Sequence, residues 1–181
     1  FHPSEQLSMK IFVSISGNIG VGKTTLLNLL SELNFPVLKE DTESPLAKTL
    51  LENYYDKKDE ETLLALQEYY FGERIKMFTS LKKKSEGGFF ERCVGEDSIF
   101  LWNGVENGII DEERARTFLR EKQEKIKECG YPDVVVYLKN GVDGLLDNIK
   151  ERGRSCEQNT SIDRSYLEKL EKGYQRFMEE I

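Results

Sequence analysis

Gly17-Asn18-Ile19-Gly20-Val21-Gly22-Lys23-Thr24 decides how this chain is read. The octet fits the pattern G-x-x-x-x-G-K-[ST] and lies between the apolar run Ile11 to Ile15 and the segment Leu26-Leu27-Asn28-Leu29-Leu30. A buried strand delivers such a loop, its glycines let backbone N–H groups close around a polyphosphate, and the following helix turns the positive end of its dipole to the same anion. By position, Lys23 neutralises the outer phosphates of a nucleotide and the Thr24 hydroxyl ligates Mg²⁺, while Thr25 extends the phosphate-binding segment into the helix. A glycine-rich turn with a chance lysine is the bland alternative, and it leaves the agreement of motif, strand and helix unexplained.

Working outward, further strand-length apolar runs occur at Phe35 to Leu38, Phe89-Phe90 and Val134 to Leu138, separated by longer segments of helical period. This alternation predicts an α/β fold, a parallel sheet with helices on both faces, and functional residues at the carboxyl ends of the strands. Helices are expected at about 22–34, 45–54, 60–83, 96–106, 111–128, 141–152 and 164–180. Residues 10–181 are read as one domain, preceded by a leader at 1–9 that contains the only histidine, His2. Histidine chemistry is thereby set aside.

With 33 acidic against 26 basic residues, a net charge of -7, the chain lacks the basic field that holds nucleic acid. A small anionic ligand with local basic clamps fits better. Cys93, Cys129 and Cys156 are odd in number and widely spaced, which points to a reducing compartment, the cytoplasm, rather than to disulfides or zinc. No apolar run approaches the roughly 20 residues a membrane span needs, so no membrane partner is expected.

Four places could carry chemistry. Glu40 closes the second strand, read as Pro36 to Glu40, and could take a proton from an acceptor hydroxyl; with Asp41 and Glu43 it could equally be a solvated acidic turn. Glu91-Arg92 closes the third strand, where arginine offers a fork for phosphate and glutamate can hold the water shell of Mg²⁺. In the long helix, Leu63, Gln67, Tyr70, Arg74, Met77 and Leu81 form one stripe, and Gln67 and Arg74 interrupt it with polar groups that need partners. Those partners could be a ligand's base edge or ordinary core hydrogen bonds. Finally, Arg152-Gly153-Arg154 opens the polar segment Ser155 to Thr160, which reads either as an arginine-bearing lid or as a solvated helix end. The basic run Lys82 to Lys84 reads as a solvated helix end.

In this order and spacing, the phosphate loop, Glu40, Gln67, Glu91-Arg92 and Arg152-Gly153-Arg154-Ser155-Cys156-Glu157 resemble the deoxynucleoside kinase family, from about Lys10 onward. The resemblance implies a P-loop kinase that moves the γ-phosphate of ATP, or of another nucleoside triphosphate, to the 5′-hydroxyl of a deoxynucleoside with Mg²⁺, working as a homodimer. It implies that Glu40 is the base, that Arg92 holds the hydroxyl and the incoming phosphoryl group, and that Glu91 assists the metal. Gln67 would contact the nucleobase, Arg152 and Arg154 would clamp the transferring phosphate, and Glu157 with Tyr54 or Tyr55 would take the 3′-hydroxyl. Arg74 and Asp97 match a charged pair of the members that accept deoxycytidine and deoxypurines rather than thymidine.

The chain also departs from that pattern. Cys93 replaces a serine, no tryptophan lies between Asp41 and Leu46, and Asn148 stands at the first lid arginine. Leu66 and Leu101 occupy positions where aromatic rings sandwich the base, with Phe100 and Trp102 as possible substitutes, and the family's fifth strand is missing. A thymidylate-type monophosphate kinase shares the loop and a lid but needs a different third-strand motif. A non-catalytic nucleotide-binding module would leave Gln67, Arg74 and Asp97 unexplained.

Overall fold

Strand β1 (Phe12–Gly17) runs straight into the phosphate loop and helix α1 (Lys23–Glu32), the order the opening motif requires. The structure, a computed structural model, describes residues 10–84, 87–154, 157 and 162–181. The leader at 1–9, Cys156 and most of the segment Ser155 to Thr160 lie outside the described residues.

The other elements are β2 (Val37–Leu38), α2 (Pro45–Lys57), α3 (Glu60–Lys84), β3 (Gly88–Glu91), α4 (Asp97–Glu106), α5 (Glu112–Cys129), β4 (Val134–Leu138), α6 (Val142–Arg152) and α7 (Arg164–Glu180). The four strands pair in the order β2-β3-β1-β4, all parallel. Ile15 aligns with Glu91 and Gly17 with Leu138, so the loop after β1 and the Glu91-Arg92 pair emerge at one edge of the sheet. The crevice expected at the carboxyl ends of parallel strands is thus formed here by β1 and β3.

Local signals explain the helix starts. Ser44 caps α2 by accepting from the Ala47 N–H, with Pro45 in the first turn, and Asp111 and Asp163 cap α5 and α7 in the same way. Helix α1 differs: Gly22, in the left-handed region at φ 102°, precedes it without a side-chain cap, so its first N–H groups stay available to an anion. At Gly20 a side chain would meet the Leu145 carbonyl at 2.7 Å, so the loop packs against α6 only through glycine.

One core contains Leu63, Leu101, Leu145, Leu167, Leu170 and Tyr174 under the helices of one face. A second, under β3, contains Phe71, Phe78, Leu81 and Phe90, with Phe78 and Phe90 stacked at 5.1 Å. All six residues of the α3 stripe are buried. The expected second strand is shortened: β2 ends at Leu38, and Glu40 lies beyond it rather than closing it. The Asp41 carboxylate explains this, because it accepts from the backbone N–H groups of Glu43 and Ser44 and turns the chain into α2. The basic run Lys82 to Lys84 is the exposed end of α3, as read, and the Lys82 ammonium also donates to the Cys129 carbonyl at 2.7 Å.

Candidate active site

A cleft of about 1050 Å³ opens at the carboxyl edge of β1 and β3. Its floor is the phosphate loop, where Ile19 to Leu26 face the opening. The Lys23 ammonium is buried and donates to the carbonyls of Gly17 and Asn18, each at 2.9 Å. Burial, reinforced by Arg92, lowers its pKa to about 7. Asn148 donates to the Gly20 carbonyl at 2.7 Å and orients that peptide from α6. Asn18 contributes no side chain to the cleft, because its amide turns inward to the Leu167 carbonyl at 2.9 Å.

Glu40 is the buried member of the acidic trio, with its side chain 7% exposed. Its Oε1 takes Arg74 Nε at 2.6 Å and its Oε2 takes Arg92 Nε at 3.0 Å. Asp41 instead holds the turn, and hydrogen bonds from Ser44 hold its carboxyl down at about 2. Glu43 is exposed and pairs with Lys48. The choice between a solvated turn and a functional carboxylate therefore has a different answer at each residue.

Arg92 has φ 65°, a left-handed backbone that is costly for a residue with a side chain and that recurs at functional sites. Burial opposes its charge, yet Tyr174, Glu40 and Glu96 outweigh burial and raise its pKa well above the ordinary value. Arg74 behaves likewise, with Asp97 and Glu40 outweighing burial. Beside them, Glu91 accepts the Glu40 backbone N–H at 3.2 Å and the Thr24 hydroxyl at 3.4 Å.

Tyr54, Tyr55, Leu66, Gln67, Tyr70, Phe100 and Tyr166 form the opposite wall. Gln67 Oε1 and the Tyr70 hydroxyl are buried there with no hydrogen-bond partner among the described residues. Native structures rarely leave buried polar atoms unpaired, so both are fitted to meet a polar ligand. Asp97 does not line the cleft. It sits behind Arg74, taking Nη1 at 2.6 Å through Oδ1, while its Oδ2 has no hydrogen-bond partner among the described residues.

Two expectations about the base-stacking wall are corrected. Leu101 is fully buried in the core and does not line the cleft; its neighbour Phe100 does, because α4 presents that side to the opening. Trp102 lies away from the cleft, under the Arg116 guanidinium at 5.0 Å. The arginines at the end of α6 do reach the cleft: Arg152 pairs with Glu157 at 2.5 Å, and Arg154 donates to the Thr42 hydroxyl at 2.7 Å.

Sequence reasoning missed Glu96 and Tyr174. Glu96 lies four residues after Arg92, a spacing that allows contact, but it read as part of a helix start. Tyr174 is 82 residues from Arg92 in the chain, and no local signal joins them.

Phosphates can bind at the glycine loop and Lys23 and a polar ring at Gln67, and the Glu40 carboxylate and Arg92 line the same cleft. Thr24 and Glu91 supply two hard oxygen donors beside the loop, which fits a Mg²⁺ that takes its other ligands from phosphate and water. Among the described residues no cluster of three or more His, Cys, Asp or Glu forms a dedicated metal cage.

Known proteins resemble this arrangement over nearly its whole length. A family profile described as deoxynucleoside kinase matches residues 13–181. Deoxyadenosine kinase of Dictyostelium discoideum is 31% identical over 170 residues, which is 93% of this chain and 67% of that protein. Deoxyadenosine/deoxycytidine kinase of Bacillus subtilis is 29% identical over 170 residues, 92% of this chain and 76% of that one. The solved structure of deoxyadenosine kinase from M. mycoides with bound dATP superposes with a TM-score of 0.79 at 28% identity, covering 94% of this chain and 85% of that one.

Proposed function

The chain belongs to the deoxynucleoside kinase family and is an enzyme that phosphorylates deoxynucleosides; from that premise we propose which of its residues carry the transfer. Glu40 accepts the proton of the 5′-hydroxyl as the hydroxyl oxygen attacks the γ-phosphorus of ATP, or of another nucleoside triphosphate, and the bond to the β-phosphate breaks to release the nucleoside diphosphate. Arg92 and Lys23 stabilise the charge that builds on the transferring group, while Arg152 and Arg154 close over it. Gln67 meets the polar edge of the base between Phe100 and the tyrosine wall. Glu157 with Tyr54 or Tyr55 takes the 3′-hydroxyl. Thr24 and Glu91 would hold Mg²⁺, which supplies charge neutralisation at the phosphates when bound.

One observation carries this reading: Glu40 joins Arg74, on α3, to Arg92 beside the phosphate loop. A base-recognising residue and a phosphate-facing residue thus share the carboxylate that is to receive the proton. The Arg74–Asp97 pair supports deoxyadenosine, deoxyguanosine or deoxycytidine over thymidine, because buried charge beside the base favours exocyclic amino groups and ring nitrogens over a methyl. Residues 10–181 act as one kinase domain, as a homodimer and in the cytoplasm. Family resemblance supports the dimer, and two buried free thiols, Cys93 and Cys129, are consistent with a reducing compartment. No helix among the described residues is long and apolar enough to cross a membrane.

The test is phosphate transfer from labelled ATP to each of the four natural deoxynucleosides and to thymidine monophosphate. Transfer to deoxyadenosine, deoxyguanosine or deoxycytidine in preference to thymidine is expected. A preference for thymidine would sink the substrate assignment, and transfer to the monophosphate alone would sink the acceptor class.

A further inference from the structure

We propose that Glu96 is a positioning residue for the transfer step, holding the Arg92 guanidinium in place from behind with Tyr174 as its partner. The proposal rests on the reading that Arg92 engages the transferring group. It adds a residue that never reaches the substrate, since Glu96 is fully buried and does not line the cleft.

Four donors meet on this one carboxylate. Its Oε1 accepts from the Ser16 hydroxyl at 2.6 Å and from the Cys93 backbone N–H at 2.6 Å. Its Oε2 accepts from Arg92 Nη1 at 3.1 Å and from the Tyr174 hydroxyl at 3.0 Å. These donors come from β1 just before the phosphate loop, from the turn after β3, and from the last helix. The Tyr174 hydroxyl also contacts Arg92 Nη1 directly, and its ring stacks on Tyr137 at 5.8 Å, which fixes where the hydroxyl sits.

The geometry explains why a charge is kept here. Joining three elements needs no carboxylate, because apolar side chains would do so without the desolvation that a buried ion incurs. A carboxylate instead fixes a cation. Arg92 leaves its strand through a left-handed backbone, and its Nε is drawn to Glu40 while Nη1 is drawn to Glu96. With two nitrogens of a planar fork held from different sides, the guanidinium has one orientation. Electrostatic stabilisation of a transition state depends on such preorganised donors.

Glu96→Gln tests this, because glutamine keeps the size and one accepting oxygen but can set an amide N–H against Arg92 Nη1. At saturating ATP and deoxynucleoside, kcat is expected to fall about 10–100-fold, with the deoxynucleoside KM changed less than about threefold. Tyr174→Phe keeps the ring and removes the hydroxyl, and a fall of about three- to tenfold is expected. In an Arg92→Ala background neither change should lower kcat further, since the residue they act through is gone. Active sites are counted by nucleotide binding so that losses of folded protein are removed. Unchanged kcat per site in both variants, or losses that multiply with that of Arg92→Ala, would overturn the proposal. If Glu96→Gln does not fold, the Tyr174→Phe cycle decides alone. Normal kcat in Arg92→Ala itself would instead overturn the role given to Arg92.

Discussion

Glu40 Oε1 lies 2.6 Å from Arg74 Nε, and both side chains are almost wholly buried. Arg74 in turn holds Asp97 at 2.6 Å, while the other Glu40 oxygen holds Arg92. The result is a chain of alternating charges, Asp97–Arg74–Glu40–Arg92–Glu96, running from behind the base wall to behind the phosphate site. Interior members of such a chain each have two partners. Removing the central Glu40 leaves each neighbour one partner, removing Arg74 or Arg92 strands an end carboxylate, and removing an end member leaves its neighbour with a partner still in place.

Glu40→Gln is expected to separate chemistry from folding. Arg74 keeps Asp97 and Arg92 keeps Glu96, so the variant folds with a modest loss of stability, while turnover falls roughly 10²–10⁴-fold through loss of the proton acceptor. Thermal unfolding and single-turnover phosphorylation of the same sample check this. Normal single-turnover rates with weakened deoxynucleoside binding would assign Glu40 to binding instead.

The selectivity pair has an asymmetric stability signature. Arg74→Met strands Asp97, which has no other charged partner among the described residues and is 2% exposed, and breaking a buried pair from one side costs about 3–5 kcal/mol. Asp97→Ala leaves Arg74 paired to Glu40, so it is expected to cost less, and the double variant less than Arg74→Met alone. Urea unfolding gives the order. The double variant should also raise the activity ratio of thymidine over deoxycytidine and deoxyadenosine, and an unchanged ratio would remove this pair from selectivity.

Gln67→Leu is expected to cost binding but not stability. The Gln67 carbonyl oxygen is buried with no partner among the described residues, so replacing it with carbon relieves an unpaired polar atom. The melting temperature should hold or rise, and the deoxynucleoside KM should rise about tenfold or more, one base-edge contact being worth about 1–3 kcal/mol. A fall in melting temperature with unchanged KM would make Gln67 an ordinary core residue.

Nucleotide binding is expected to take up protons. Lys23 titrates at about 7 in the folded chain and at 10.5 ordinarily. Between these values the unfolded chain binds a proton the folded one lacks, so the Lys23 contribution to stability increases as pH rises through the window. A polyphosphate reverses the balance by favouring the ammonium. Affinity for ATP should therefore fall from pH 7.5 to 9, and titration calorimetry in buffers of different ionisation heat should show proton uptake that Lys23→Ala abolishes. The same substitution should nearly abolish transfer while leaving the far-ultraviolet circular dichroism unchanged.

Much of this molecule is written locally. The phosphate loop is legible because one octet holds the glycines, the lysine and the hydroxyl, and its flanks have the periods of a strand and a helix. The α3 stripe, the caps at Ser44, Asp111 and Asp163, and the span of α7 follow from spacings of a few residues. Tertiary structure decided what depends on approach between distant segments. It buried Glu40 between two arginines while leaving Asp41 to build a turn, although both stand in the same acidic run. It also sent Leu101 into the core and Phe100 into the cleft, a choice made by the roll of α4 against its neighbours, and it set the Asn18 amide nitrogen on the Leu167 carbonyl of α7. Glu96 shows the limit most plainly: two of its four donors, on Arg92 and Cys93, lie within four residues, but the other two, on Ser16 and Tyr174, are 80 and 78 residues away. A carboxylate's meaning depends on which charges surround it, and only the folded chain brings those charges together.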